Sequence, residues 1–343
     1  MQHGRRQPGS DEDPAALARS LEPALAEACR GRLRGAVEWF TSSWQRGGAA
    51  TGNAAWDVGP GAPELPVIIK LPVGHRELVW TDLLGRHGSD RDILEGETPH
   101  PTPRVLAAGD SLGSVDLGWV VLERLEGEPV SRDLSAPALR GLVAAAVEFQ
   151  DRARRVRHEG GGNLPGGIDD RDWAGIVELS RGAVRDHSLE HEQAWLDLLA
   201  ELHRHLDDIL REWQGRPVDD WCHGDLHPGN AIHMAGGDGH PDRTVLIDLG
   251  LVHRGHWTED AVYLERVFWG HETKLGGIEP VRLMRKLRRD RGLRVGEQDG
   301  RLANIKRVLT AASVPARLAA EGGDAAYHAR SLEILRRRLP ALV

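Results

Sequence analysis

The hydrophobic pattern of this chain changes once, near residue 125, and this change limits the folds that the chain can adopt. Residues 30–125 contain short β-rich runs and one helical segment, between Arg76 and Leu84. After this point apolar residues recur at helical spacing, and helices are predicted over 132–157 and 186–214. Strands followed by helices predict an α+β fold with two lobes, the first β-rich and the second α-rich.

The domain boundaries follow from that change in pattern. Residues 1–13 are polar and are predicted to be a disordered tail. We expect the N-lobe to span 14–125, beginning with a helix at Pro14, and the C-lobe to span 126–343. Within the C-lobe, the apolar runs 231–234 and 244–248 flank turn-forming residues and predict a hairpin. The strands predicted in the N-lobe lie in 35–44, 53–58, 66–73, 101–110 and 117–125.

Composition and charge restrict the function of the chain. It has 343 residues, of which 40% are hydrophobic and 28% charged, as in an ordinary globular protein. The formal net charge of -8 repels phosphate backbones, so a nucleic-acid partner is not expected and a small cationic substrate is tolerated. No apolar run approaches the roughly 20 residues of a membrane helix, so no membrane partner is expected. The two cysteines, Cys29 and Cys222, are too far apart for a zinc half-site, and their number fits the reducing cytoplasm.

Lysine is rare in this chain. Only four of the 44 basic residues are lysines, and Lys70 is the only one before residue 274. It lies within the apolar run PVIIKLPV, although arginine is the usual cation elsewhere. A compact ammonium at this position indicates a task that a forked guanidinium does not perform.

The loop 221–230, WCHGDLHPGN, concentrates polar side chains directly ahead of a predicted strand. It carries Asp225 and Asn230, and Asp248 ends the later run TVLID. If the two runs pair as a hairpin, these three residues meet at one end of it. His223 and His227 complete a His-x-Asp-x-His pattern, which can hold a transition metal, but we expect His223 to hydrogen-bond the loop backbone instead.

These residue types match the needs of phosphoryl transfer. Magnesium takes oxygen ligands, which Asn230 and Asp248 offer, and an attacking hydroxyl needs a carboxylate acceptor, which Asp225 offers. A cation on the α- and β-phosphates is also needed, and Lys70 supplies it if a carboxylate on the next helix holds it in place. Glu77 is the candidate for that carboxylate, and Asp82 is a competitor on the same helix.

The motif HGDLHPGN, with VIIK and RELVWTDLL before it and IDLG after it, resembles the aminoglycoside phosphotransferase and choline kinase family over residues 30–270. Members of this family are small-molecule kinases with a protein-kinase-like fold. The resemblance therefore implies that fold, kinase activity, and ATP or GTP with Mg²⁺ as cofactors. It also implies antibiotic resistance or the tailoring of natural products.

The same resemblance implies roles for individual residues. Asp225 is the catalytic base, Asn230 and Asp248 (in the motif 247–250) are magnesium ligands, and Lys70, paired with Glu77, binds phosphate. The segment 119–127 resembles the family's connector, whose backbone receives the purine near Glu123 and Leu125. The segment RGGAATG at 46–52 stands where the family has its nucleotide loop, but it matches that loop only loosely.

The phosphate acceptor is less constrained than the chemistry. The main hypothesis is a hydroxyl of a small molecule, such as an aminoglycoside-like or other antibiotic or natural product, including a cationic one. Two alternatives stay open: a Ser or Thr of a peptide in natural-product maturation, and a non-catalytic nucleotide-binding regulator with a kinase-like fold. Acidic residues that are candidates for binding a cationic substrate, although such charges are usually solvated, are Asp169, Asp170, Asp172, Glu259 and Asp260.

Overall fold

The chain divides into two units, Met1–Leu125 and Glu126–Val343. The computed structural model describes residues 14–40, 49–86, 100–160, 164–169, 171–236, 242–318 and 324–343. The first unit is built on an antiparallel sheet and the second is mostly helical, so the predicted α+β class is confirmed. None of the helices in the described ranges is long and apolar enough to span a bilayer. The tail 1–13, including the residue Asp13 expected to cap the first helix, lies outside the described residues.

The first unit contains a five-stranded sheet in the order β1-β2-β3-β5-β4, with every neighbouring pair antiparallel. All five strands that the sequence predicts are present, although their ends differ by several residues. The elements are α1 (Pro14–Ala28), β1 (Leu33–Phe40), β2 (Ala50–Trp56), β3 (Leu65–Val73), α2 (His75–Gly85), β4 (Val105–Leu112) and β5 (Val115–Glu123).

Strand β3 separates its side chains onto two faces, and this places Lys70. Val67, Ile69 and Leu71 are fully buried and pack in a cluster with residues of α1. Lys70 alternates with them and therefore lies on the opposite face, directly across from Val120 of β5. Val120 packs against Leu78 of α2, so Lys70 shares its face of the sheet with that helix.

The second unit surrounds two small sheets with helices. One sheet pairs β7 with β10, and the other has the order β6-β8-β9. Strands β8 and β9 form the predicted hairpin, with Ala231 opposite Leu246. The elements are β6 (Glu128–Pro129), α3 (Ala136–Gly160), α4 (Trp173–Asp186), α5 (Glu192–Gln214), β7 (Asp220–Cys222), β8 (Ala231–Met234), β9 (Arg243–Leu246), β10 (His253–Gly255), α6 (Thr258–Val267), α7 (Pro280–Asp290), α8 (Asp299–Ala312), α9 (Val314–Leu318) and α10 (Ala325–Arg338).

Helix α4 is absent from the sequence-based predictions. Two glycines, Gly175 and Gly182, lower its intrinsic helix propensity. The structure stabilises it in other ways: the Asp172 carboxylate accepts a hydrogen bond from the Gly175 amide at 2.9 Å, and Trp173 and Val177 are buried in the helical core. Tertiary packing therefore outweighs propensity here.

A buried ionic cluster joins several helices of this unit. Glu259 of α6 is 3% exposed and receives Arg216 Nε at 3.0 Å and Lys306 Nζ, from α8, at 3.3 Å. Lys306 also lies 3.3 Å from an Asp169 carboxylate oxygen, ahead of α4. Burial alone raises the pKa of Glu259, but Lys306, His253 and Arg216 together lower it well below its ordinary value. Glu259 is thus ionised in the folded protein over the whole physiological range.

The low pKa of Glu259 predicts loss of stability in acid. The unfolded chain takes up a proton at Glu259 near pH 4 to 4.5, while the folded chain does not, so the free energy of unfolding falls as the pH drops through that range. Glu259→Gln leaves the buried Arg216 without a carboxylate partner and Lys306 with Asp169 alone, and should cost about 3–5 kcal/mol at pH 7. The variant should also lose stability less steeply between pH 5 and pH 3 in urea titrations.

The matched control is Glu297→Gln, because Glu297 is exposed and makes no ion pair with the part of the chain that the structure describes. It should keep the wild-type stability and the wild-type pH slope. Equal slopes for Glu259→Gln and the wild type would show that Glu259 does not carry the acid sensitivity.

Candidate functional site

The loop 221–230 begins at a strand that is fixed from two sides. Strand β7 pairs with β10, so that Cys222 lies opposite His253. At the start of β7, the Asp220 carboxylate accepts two hydrogen bonds from Arg288, at 3.0 and 2.9 Å. Arg288 is only 1% exposed, so this ion pair is largely shielded from water. The loop therefore starts from a rigid base.

His223 ties the loop to the end of β9. Its buried ring accepts a hydrogen bond from the Asp225 amide at Nδ1 (3.3 Å), so Nε2 carries the proton and donates to the Ile247 carbonyl (3.0 Å). Burial lowers the pKa of His223, in keeping with a neutral ring. Both ring nitrogens are engaged by backbone groups, which confirms the structural role predicted for His223 and leaves neither nitrogen for a transition metal.

Asp260 holds the loop backbone from helix α6. Its carboxylate accepts the amides of His223 and Gly224, each at 3.0 Å, and the Gln150 side-chain amide at 3.1 Å. Gln150 in turn accepts a bond from Arg288 at 2.6 Å, which supplies positive charge to a fully buried carboxylate. The sequence suggests Asp260 as a ligand for a cationic substrate, but its oxygens accept hydrogen bonds from the loop and from Gln150 instead.

Gly224 is required by the same arrangement. Its φ of +81° lies in the left-handed region, and an added Cβ would collide with the Leu251 carbonyl oxygen. Only glycine lets the chain pass this close to the segment after β9.

Both carboxylate oxygens of Asp225 are oriented by neighbours. Oδ1 accepts a hydrogen bond from the Tyr263 hydroxyl, and Oδ2 accepts one from Asn230 Nδ2 at 3.0 Å. His227 Nε2 lies 3.7 Å from Oδ2. Burial raises the pKa of Asp225, but the hydrogen bonds from His227 and Tyr263 and the nearby imidazoles hold it far below its usual range. The carboxylate is thus ionised and fixed in direction.

Asn230 and Asp248 lie at the same end of the β8-β9 hairpin as Asp225. The Asn230 side chain donates to Asp225. The backbone carbonyl of Asn230 accepts a hydrogen bond from the Ile247 amide at 3.0 Å, and Ile247 is the residue before Asp248. Because the amide nitrogen of Asn230 points to Asp225, its Oδ1 makes no hydrogen bond within the described residues. Asp248 is exposed and has the left-handed backbone angles φ 64° and ψ 72°, which cost about 1–3 kcal/mol in an aspartate.

An amide oxygen and a carboxylate are the donor types that Mg²⁺ takes from proteins. The free Oδ1 of Asn230, buried beside an ionised Asp225, is a polar acceptor that such a cation would satisfy. The donor types present therefore fit a magnesium ion, which Asn230 and Asp248 would hold.

In the first unit, Lys70 and Glu77 form an ion pair. Lys70 Nζ lies 2.5 Å from Glu77 Oε1, and both side chains are mostly buried. The competitor, Asp82, pairs with Arg86, the residue that follows the end of α2. Lys70 is thus held on the α2 face of the sheet by Glu77.

The connector at the end of β5 offers one open backbone amide. The Glu123 amide donates to the Arg104 carbonyl at 2.9 Å, and its carboxylate accepts the Arg104 amide at 3.0 Å. The Arg124 amide donates to the Pro66 carbonyl at 2.9 Å. Leu125 makes no hydrogen bond with the described residues, whereas the Glu123 amide is occupied.

The segment expected to form the nucleotide loop is only partly described, and two residues of the site were not predicted in their observed roles. Arg46–Gly48 of the RGGAATG segment lie outside the described residues, and Ala50–Gly52 begin strand β2. The sequence does not single out Tyr263, and it suggests Asp260 only as a candidate for binding a cationic substrate. Tyr263 lies 38 residues from Asp225, and Asp260 lies 37 and 36 residues from the two loop residues whose amides it accepts. The available signals were the scarcity of tyrosine, of which the chain has two, and the three-residue spacing of Asp260 and Tyr263 on one helix.

The contacts of Asp260 predict a large effect on stability. Asp260→Ala leaves the buried amides of His223 and Gly224 without an acceptor and should lower the free energy of unfolding by about 2–5 kcal/mol. Urea unfolding measures it. Asp290→Ala removes an exposed carboxylate paired with Lys286 on the surface and should change stability by less than about 0.5 kcal/mol. Equal effects of the two substitutions would contradict the role of Asp260.

Comparison with known proteins gives an independent view of the chain. The model of the phosphotransferase enzyme family matches residues 74–279, which is more than half of the chain. No curated protein matches the sequence significantly. The chain is similar in structure to the microcompartment-associated aminopropanol kinase, with a TM-score of 0.58 and 17% identity over 96% of this chain and 98% of that one.

It is also similar to the aminoglycoside phosphotransferase from Alicyclobacillus acidocaldarius subsp. acidocaldarius, with a TM-score of 0.53 and 16% identity over 92% of this chain and 94% of that one. These similarities establish the protein-kinase-like fold that the sequence resemblance implied. The family match runs from α2 through the loop 221–230 to the segment after α6, and the chain therefore belongs to the phosphotransferase enzyme family, as its HGDLHPGN motif predicted.

Proposed function

We propose that this phosphotransferase is a magnesium-dependent kinase that moves the γ-phosphate of ATP or GTP to a hydroxyl of a small molecule. The observation that carries the proposal is the setting of Asp225: a carboxylate kept ionised, oriented through both oxygens, bonded to Asn230, and at the same end of the β8-β9 hairpin as Asp248. An ionised, positioned carboxylate beside metal ligands is the arrangement that phosphoryl transfer to an alcohol requires.

Each residue has a defined task in this reaction. Asp225 accepts the proton of the acceptor hydroxyl while the hydroxyl oxygen bonds to the γ-phosphorus, and the bond from that phosphorus to the bridging oxygen breaks to release ADP or GDP. Asn230 and Asp248 would hold Mg²⁺, which would offset the negative charge of the phosphates. Lys70, positioned by Glu77, binds the phosphates, and the connector backbone at Glu123 and Leu125 receives the purine through the Glu123 carbonyl and the Leu125 amide.

A small-molecule acceptor is favoured over a peptide. Only residues 249–257 separate Asp248 from helix α6, and they form a tight turn and the short strand β10, which leaves no long segment to present a peptide. The similar proteins named above are an aminopropanol kinase and an aminoglycoside phosphotransferase, whose names point to small hydroxylated acceptors. The acceptor class proposed here thus includes antibiotics and natural products. Both nucleotides occur with Mg²⁺ in the cytoplasm, where we place the enzyme.

The kinase proposal predicts separate effects for two residues. Asp225→Asn should reduce acceptor-stimulated ADP or GDP formation by about 10²–10⁴-fold, because the amide does not take the hydroxyl proton. Binding of the Mg²⁺–nucleotide, measured by calorimetry with ATP and GTP analogues in parallel, should be retained. Lys70→Met should instead weaken use of the triphosphate, raising KM for the nucleotide.

Asp290→Asn, an exposed substitution on α7, serves as the control and should behave as the wild type. The compounds tested as phosphate acceptors are hydroxylated antibiotics, amino alcohols and hydroxy acids, and Ser-containing peptides represent the alternative class. Failure of the wild type to bind any Mg²⁺–nucleotide would overturn the proposed function, and binding without turnover on every acceptor would favour the regulator.

Tyr263 is predicted to be a positioning residue for Asp225. Burial raises the pKa of Tyr263 against the lowering effect of Arg266, so its hydroxyl keeps its proton and donates. Tyr263→Phe removes a bond that lowers the pKa of Asp225, so the acidic limb of the kcat/KM profile should move to higher pH. The value of kcat should fall about tenfold, since Asp225 loses one of its two orienting bonds.

The control is Tyr327→Phe, which removes a hydroxyl from the other tyrosine without touching Asp225. Its acidic limb should stay at the wild-type position. An unshifted limb for Tyr263→Phe would show that Tyr263 supports the fold but not the base.

A further inference from the structure

The second unit contains a cavity where the start of α4 meets the end of α5. Its volume is about 340 Å³, which is within the range of pockets that hold small ligands. None of the described residues that line it belongs to the loop 221–230 or to the motif 247–250. Its lining combines indole rings with charged side chains, among them Trp173, Trp213, Asp169, Arg171 and Arg216.

Two hydrogen-bond donors of this lining have no acceptor. Arg216 is 5% exposed and Trp213 is 2% exposed. The Arg216 guanidinium donates from Nε to Glu259 at 3.0 Å and from Nη1 to the Trp213 carbonyl at 2.8 Å. Arg216 Nη2 and Trp213 Nε1 bond to none of the residues that the structure describes. Because a buried donor without a partner is costly, an acceptor in the cavity would stabilise both.

Two further cations lie next to the lining. Nζ of Lys306, from α8, is 5.7 Å from the centre of the Trp173 ring and 5.3 Å from that of the Trp213 ring. Arg254, from β10, donates from Nη2 to the carbonyl of Val218, a lining residue, at 3.2 Å. Arg254 forms no ion pair within the described ranges. No carboxylate of those ranges therefore matches its charge.

The carboxylates beside the cavity are fewer than the cations. Asp169 is paired with Arg171 at 2.8 Å and with Lys306 at 3.3 Å. Glu259 is paired with Arg216 at 3.0 Å and with Lys306 at 3.3 Å. Both are acidic residues that the sequence offers to a cationic substrate, and cations of the chain bind them instead. Two carboxylates thus face four cations, which are Arg171, Arg216, Arg254 and Lys306.

We infer that this cavity binds a small organic anion, in which a carboxylate or a phosphate is attached to an apolar group. The oxygens of the anion accept hydrogen bonds from Arg216 Nη2 and Trp213 Nε1 and supply the missing counter-charge. The apolar group packs against the indole rings and against Ile168, a lining residue that is 45% exposed. Binding of the ligand would cover this apolar side chain.

Cationic and neutral ligands fit this cavity less well. An ammonium group would meet four cations and has no lone pair for the unpartnered donors. A neutral amide offers an acceptor oxygen but no counter-charge. The net charge of -8 acts on approach from a distance, whereas affinity depends on the groups within a few ångströms.

Calorimetry with simple aryl anions measures this binding. Benzoate and phenyl phosphate, which represent the two oxyanion classes, are titrated into the full chain, and benzamide is the neutral comparison. We expect at least one anion to bind about tenfold or more tightly than benzamide. The titrations are repeated in the presence of excess Mg²⁺–ADP. The affinity for the anion should stay the same, because the cavity shares no residue with the proposed nucleotide site.

Two substitutions each remove one of the unpartnered donors. Arg216→Lys keeps a positive charge beside Glu259 but removes Nη2, and Trp213→Phe keeps an aromatic ring but removes Nε1. Each should weaken anion binding about tenfold, with urea unfolding as the check that the variant is folded. Arg254→Gln removes a cation that has no carboxylate partner and should weaken binding several-fold. The control, Arg282→Gln on α7, alters a side chain that is 83% exposed and should bind as the wild type does.

Four results would overturn the anion site. They are no binding of either anion by the wild type, equal affinity for benzamide, displacement of the anion by Mg²⁺–ADP, and wild-type affinity in the folded variants. If Arg216→Lys or Trp213→Phe does not fold, Arg254→Gln decides. Failure of Mg²⁺–ADP itself to bind would contradict the kinase function alone, because the anion site does not depend on that function.

Discussion

The amides of His223 and Gly224 donate to a single buried carboxylate, Asp260, and the geometry of the loop depends on this interaction. A buried carboxylate is stable only when donors and positive charge surround it, and here the two amides, Gln150 and, through Gln150, Arg288 provide both. Because Arg288 also binds Asp220, the strand that enters the loop and the helix that supports it share one polar network. This network therefore fixes the position of Asp225, which directly follows Gly224 in the loop.

The charged side chains of the second unit are stabilised in two different ways. In the core, Glu259 is matched by Arg216 and Lys306. On α6, the Arg266 guanidinium stacks on the ring of Tyr263, whose hydroxyl donates to Asp225. Ion pairs neutralise the carboxylates in the core, whereas a stacked guanidinium keeps its positive charge beside the aromatic ring.

Local patterns in the sequence predicted much of the fold but less of the site. The alternation in PVIIKLPV located strand β3 and placed Lys70, and the turn residues between 231–234 and 244–248 located the hairpin. Helix α4 escaped prediction, since its stability comes from a cap and from distant packing partners. The support of Asp225 by Tyr263 and of Gly224 by Asp260 also depends on contacts between distant segments, which periodicity does not report.

Helix α6 carries Asp260, Tyr263 and Arg266 at intervals of three residues, so neighbouring positions on its surface divide three tasks. Asp260 accepts the loop amides, Tyr263 donates to Asp225, and Arg266 stacks on the Tyr263 ring. A shift of this helix by one residue would withdraw the acceptor of the loop amides and the donor to Asp225 together, so the register of α6 sets the geometry of both.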